Sequence, residues 1–100
     1  MSVYRRILRA ASNNYPHWVA LPEDDCIGAN FHKLRRFCED RKLSLSRHGH
    51  SVVWQKEWYQ VFMFGEEVDA EVFREEFRGE LMHPNERGKG KNWSQWKKGS

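Results

Sequence analysis

One hundred residues, 39% hydrophobic and 31% charged, suffice for one domain around one core and are too apolar for a disordered chain. No apolar run reaches the roughly 18 residues that a membrane span needs. The opening MSVYRRILRAASNN interrupts its apolar residues with Arg5, Arg6 and Arg9 where a signal peptide would be continuous, so a cytoplasmic chain is expected. The net charge of +3 is uneven: residues 1–15 carry Arg and no acid, residues 16–83 are acidic on balance, and residues 84–100 are strongly basic, so attraction to a polyanion is expected from the ends.

In chain order, Val3, Tyr4, Ile7, Leu8 and Ala11 recur at helical spacing, which predicts an N-terminal helical segment over 1–15. HWVAL, bracketed by Pro16 and Pro22, reads as a short strand, at a sheet edge because proline cannot extend a ladder. NFHKLRRFCEDRKL predicts a helix with Asn30 as its cap and Phe31, Leu34, Phe37 and Cys38 on one apolar face. From Leu43 the period shortens, and LSLSR, SVVWQ and WYQVFMF read as three strands joined by links too short for anything but a meander. GEEVDAEVFREEFRGELMHP predicts a second helix, capped by Asp69 and ended by Pro84, with Ala70, Phe73, Phe77 and Leu81 on one face.

These elements predict an α+β fold over residues 16–83: an antiparallel sheet of three or four strands with the helices packed on one face. The order is a ferredoxin-like β-α-β-β-α, or α-β-β-β-α if residues 17–21 form a loop. Either way the other face of the sheet is expected to be open. Alternation along WYQVFMF places Phe62 and Phe64 toward the helices and Tyr59, Val61 and Met63 on the open face, a row suited to a protein partner or a second copy of the chain.

YQVFMFGEEVDA resembles the third strand and following turn of an RNA-recognition motif, in which an aromatic strand ends in Phe or Tyr and an Asp-Ala pair opens the next helix. Phe64, Asp69 and Ala70 match that spacing, and the resemblance implies a base-stacking position for Tyr59. Glu57, Trp58 and Val61 stand where the motif has a basic residue, a glycine and a second stacking aromatic. The resemblance covers about a fifth of the chain and implies the fold more than the ligand.

After Pro84 the chain is rich in glycine and charge without periodicity, which predicts a flexible tail over 84–100. Arg87, Lys89, Lys91, Lys97 and Lys98 alternate there with Trp93 and Trp96, a combination that suits single-stranded nucleic acid, or else tryptophans docked on the domain's own sheet.

Catalytic and metal signatures are weak. LSRHGHSVVW is faintly similar to a hairpin of small RNA-cleaving toxins, which would make His48 and His50 candidate acid–base residues. Cys26, His32, Cys38, His48 and His50 follow no zinc spacing, so no metal or cofactor is expected, and the cysteines read as free thiols. Glu75, Glu76 and Glu80 with Arg74 and Arg78 are spaced as ion pairs along a solvated helix face. The chain is thus expected to be a small non-enzymatic binding or accessory protein, of the kind bacteriophages encode, acting on a protein partner. Single-stranded nucleic acid is the alternative ligand and a histidine-dependent ribonuclease the second alternative.

Overall fold

β1 (His17–Pro22), α1 (Ala29–Asp40), β2 (His50–Trp54), β3 (Glu57–Phe64), α2 (Glu67–Phe77) and β4 (Glu80–Met82) follow one another in a computed structural model that describes residues 14–98. The helix expected over 1–15 lies outside the described residues except for its last two positions. The strands lie in the order β2-β3-β1-β4 with antiparallel neighbours throughout. Each βαβ unit is therefore split by a strand of the other, the ferredoxin-like α+β arrangement.

β1 is central, not at an edge. Trp18, Val19, Ala20 and Leu21 are all buried, as happens when both faces of a strand are covered. The prolines do not prevent this. Pro16 precedes the strand, and the ladder with β4 runs only from Trp18 to Ala20, short of Pro22.

α1 starts two residues earlier than a cap at Asn30 implies, behind Gly28 at φ 60° and without a side-chain cap from Asn30. Its inward face is Leu34 and Cys38, with Phe37 edge-on to Phe77 at 5.1 Å. Phe31 overhangs the core and is exposed.

LSLSR is not a strand. Only Leu45 bridges β3, at Phe64, and the Ser46 N–H donates to the Met63 carbonyl at 2.8 Å. Ser44 ties the loop to the start of α2 instead: its N–H donates to the Asp69 carboxylate (2.8 Å), and its hydroxyl accepts from the Glu66 N–H (2.9 Å). Asp69 is thereby committed to the loop and does not cap α2, which begins at Glu67. The meander reduces to one hairpin. β2 and β3 join through Gln55 (φ 52°) and Lys56 (φ 66°), a two-residue turn whose left-handed backbone matches strand twist.

α2 stops at Phe77, well before Pro84. Arg78 adopts the left-handed conformation (φ 55°, ψ 41°), and the Gly79 N–H returns to the Arg74 carbonyl at 3.0 Å. A side chain at Gly79 would place its Cβ 2.6 Å from Val19 Cγ1 and 2.9 Å from Leu21 Cδ2, so glycine lets the chain cross close over β1. The residues expected to finish the helix form β4 instead, with Leu81 exposed and Met82 buried.

The sheet has a core on each face. Val19, Leu21, Leu34, Cys38, Phe64, Ala70 and Phe73 pack on the helix side, and Trp18, Ala20, Val52, Tyr59, Val61, Met63, Met82 and Trp96 on the other. The expected open face is an interior.

Candidate functional site

The alternation along β3 holds, but it points the candidate row inward. Tyr59, Val61 and Met63 are 8%, 1% and 0% exposed. Trp96 stands edge-on to Tyr59 with ring centroids 5.1 Å apart and lies 6.1 Å from Trp54. The Tyr59 hydroxyl donates to the Glu57 carboxylate at 3.3 Å, and burial followed by that carboxylate raises its pKa. A base or a partner protein has no access to this row while Trp96 is in place. The physical reason lies about 35 residues away: a tryptophan in a polar tail gains by leaving water, and this face is where it fits.

On the opposite face of β3 the helix-side row is only partly covered. Phe64 is fully buried, Phe62 and Gln60 are half-buried, and Trp58 is exposed. α2 packs on β1 and β3, and the outer part of the hairpin lies beyond it. The accessible sheet surface is therefore on the side assigned to the core.

The segment after Pro84 is built rather than loose. The Val53 N–H donates to the Ser94 carbonyl (2.7 Å) and the Trp96 N–H to the Val53 carbonyl (2.9 Å), so residues 94–96 run parallel to the outer edge of β2. The segment also closes on itself, Gly88 N–H to Gln95 carbonyl (2.8 Å) and Lys97 N–H to Glu86 carbonyl (2.6 Å). The Trp96 indole N–H donates to Glu86 at 3.3 Å. A strand edge that could template aggregation is covered in this way.

The tail candidates consequently divide. Trp96 is core. Lys98 pairs with Glu80 and lies over the Trp54 ring at 4.2 Å. Arg87 lies over the Trp93 ring at 4.9 Å, and its Nε–H donates to the Trp93 carbonyl at 3.0 Å. Trp93 itself is 40% exposed. Lys89, Lys91 and Lys97 are exposed on the same loop. The structure brings an aromatic ring and several cations together on one closed loop, residues 87–97.

The histidine candidates are not brought together. His48 is exposed, its N–H donating to Ser46 Oγ at 3.1 Å. β2 begins only at His50, which is buried, edge-on to Trp18 at 4.9 Å, with neither ring nitrogen hydrogen-bonded. Burial, helped by the Arg87 charge, pushes its pKa down to about 3. A neutral imidazole sealed from solvent is poorly placed to shuttle protons at neutral pH. Cys26 and Cys38 are free and buried on the helix side, each pushed up to about 11, chiefly by burial. Among the described residues no three His, Cys, Asp or Glu side chains gather as a metal would require.

One surface escapes the sequence reading. A groove of about 410 Å³ opens between the corner carrying Cys26 and Ile27, the first turns of α1, residues 45–49, and β3 at Gln60 and Phe62. Phe31 and Arg35 sit on its α1 side, and Arg47 and His48 on the loop side. Its signal in the sequence is Phe31 four residues before Arg35, which places a guanidinium over the ring, here at 5.7 Å.

No family model, curated protein or solved structure matches the chain.

Proposed function

We propose that the protein is a non-catalytic binding module whose ligand is single-stranded nucleic acid, held at the loop of residues 87–97. One observation carries this reading: Trp93 is held at the surface with the Arg87 guanidinium on its ring, on a loop that also exposes Lys89, Lys91 and Lys97. An exposed indole offers every base a stacking face, and the lysines offer sequence-independent charge to phosphates. Closure by the bonds among Glu86, Gly88, Gln95 and Lys97 reduces the ordering entropy that a flexible tail would lose on binding. A partner protein on Tyr59, Val61 and Met63 would first have to displace Trp96, which makes that alternative the weaker one. Two buried free thiols accord with the reducing cytoplasmic setting that belongs to this reading. Among the described residues no helix is long and apolar enough to cross a membrane.

The test is fluorescence anisotropy of the full chain with labelled single-stranded and duplex DNA and RNA. Three phosphate contacts predict about a twentyfold loss of single-strand affinity between 50 and 200 mM salt. Trp93→Ala should remove about 1–3 kcal/mol of binding and Lys89→Ala with Lys91→Ala should flatten the salt slope. Absence of single-strand binding at the lower salt overturns the proposal. Deleting the segment is not a clean control, because Trp96 belongs to the core.

A further inference from the structure

The groove between α1 and β3 has three features of a built site. Its floor is apolar, formed by half-buried Phe62 and Leu45 with buried Cys26 beneath. Its rim is apolar as well: Ile27 is 59% exposed and Phe31 44% exposed, an arrangement that costs free energy in a free monomer. Its lining carries two guanidinium groups, Arg35 and Arg47, against the single carboxylate of Glu23. Among the described residues neither arginine is in an ion pair.

We infer that this groove takes an acidic peptide segment of a partner protein, one large apolar side chain resting on Phe62 and Leu45 while flanking carboxylates pair with Arg35 and Arg47. Guanidinium forks match carboxylates in bidentate geometry. Phe31 holds Arg35 in place from one side, so less freedom is lost when the pair forms. Small-molecule pockets enclose most of their ligand, whereas here the apolar rim faces water and suits an extended chain lying across it. A nucleic-acid strand fits less well. A phosphate chain carries a charge at every step and no apolar side chain to rest on Phe62 and Leu45, whereas the groove offers two arginines around an apolar floor. The site is separate from the loop of residues 87–97 and does not depend on it.

The experiment uses the full chain and three labelled hexapeptides: a leucine–phenylalanine pair flanked by two glutamates on each side, the same pair flanked by lysines, and the acidic peptide with the pair replaced by glycines. The acidic apolar peptide should bind, and the other two should bind at least about tenfold more weakly. Arg47→Glu and Phe31→Ala should each weaken it about tenfold, and Arg47→Lys by less. Both positions are exposed, so circular dichroism should be unchanged. Lys89→Glu with Lys91→Glu should leave the peptide affinity as it was, which separates this site from the loop. No binding, equal binding of the lysine peptide, indifference to both Arg47→Glu and Phe31→Ala, or displacement of the peptide by a single-stranded oligonucleotide that Arg47→Glu abolishes would each overturn the inference.

Discussion

The indole of Trp96 meets the ring of Tyr59 at 81°, their centroids 5.1 Å apart, and joins the end of the described chain to the middle of the sheet. The pairing makes residues 84–98 part of the fold. It covers the face that the alternation along β3 leaves apolar, and it brings Ser94 and Trp96 to hydrogen-bond Val53 at the edge of β2.

Trp96→Ala should therefore destabilise the protein by about 3–5 kcal/mol, the range for emptying a large aromatic site in a core. Urea unfolding followed by circular dichroism measures this. A loss below about 1 kcal/mol would mean that the segment contributes little to the core. The same change should raise the exposure of Tyr59, seen as a shift in tyrosine fluorescence.

His50 makes stability depend on acid. Its pKa falls from 6.5 to about 3 on folding, because burial disfavours the charged ring and Arg87 adds to that. The unfolded chain thus holds more protons across this window. The stabilisation is fully present above pH 6.5 and is lost as pH falls toward 3, with a slope approaching about 1 kcal/mol per pH unit from this group. His50→Leu should flatten that part of the profile relative to the parent chain. It should cost little at pH 7, since neither ring nitrogen has a partner to lose. Parallel profiles for the two chains would sink the assignment.

Gly79→Ala should destabilise by about 1–3 kcal/mol through overpacking, since the new methyl would press on Val19 and Leu21. Thermal unfolding checks it. Gly90→Ala is the comparison: nothing lies within 4 Å there, so any loss comes from the backbone, held at φ 62°.

Cys26 and Cys38 should react slowly with a thiol reagent at pH 8 in the folded protein and quickly in denaturant. Burial holds both thiols near 11 and removes them from solvent, and the Cys26 thiol also donates to the Pro22 carbonyl at 3.4 Å. Modification of both at the denatured rate would show that the helix-side core opens readily.

Local chemistry made much of this legible. The 3.6-residue spacing of Leu34, Phe37 and Cys38 is enough to place α1, and the alternation of β-branched and aromatic residues is enough to place β2 and β3. The sorting of Phe64 from Tyr59, Val61 and Met63 also follows from alternation, because successive side chains of a strand leave on opposite sides whatever surrounds it. The clustering of Lys and Arg about Trp93 can likewise be read directly from residue order.

The errors share one cause. Periodicity says which residues lie together and is silent about what covers them. EFRGELM continues the α2 spacing, so a helix reaching Pro84 is locally reasonable; the close passage of Gly79 over Val19 and Leu21, some sixty residues earlier in the chain, turns it into β4 instead. Residue order by itself determined the α+β class, the main helices, the β2–β3 hairpin and the two faces of β3. Only the tertiary structure decided that β1 is central, that Trp96 closes the face expected to bind, and that Phe31, Arg35 and Arg47 border one groove. Those outcomes depend on burying apolar surface between residues far apart in the chain, and that free energy exists only once the chain has brought them into contact.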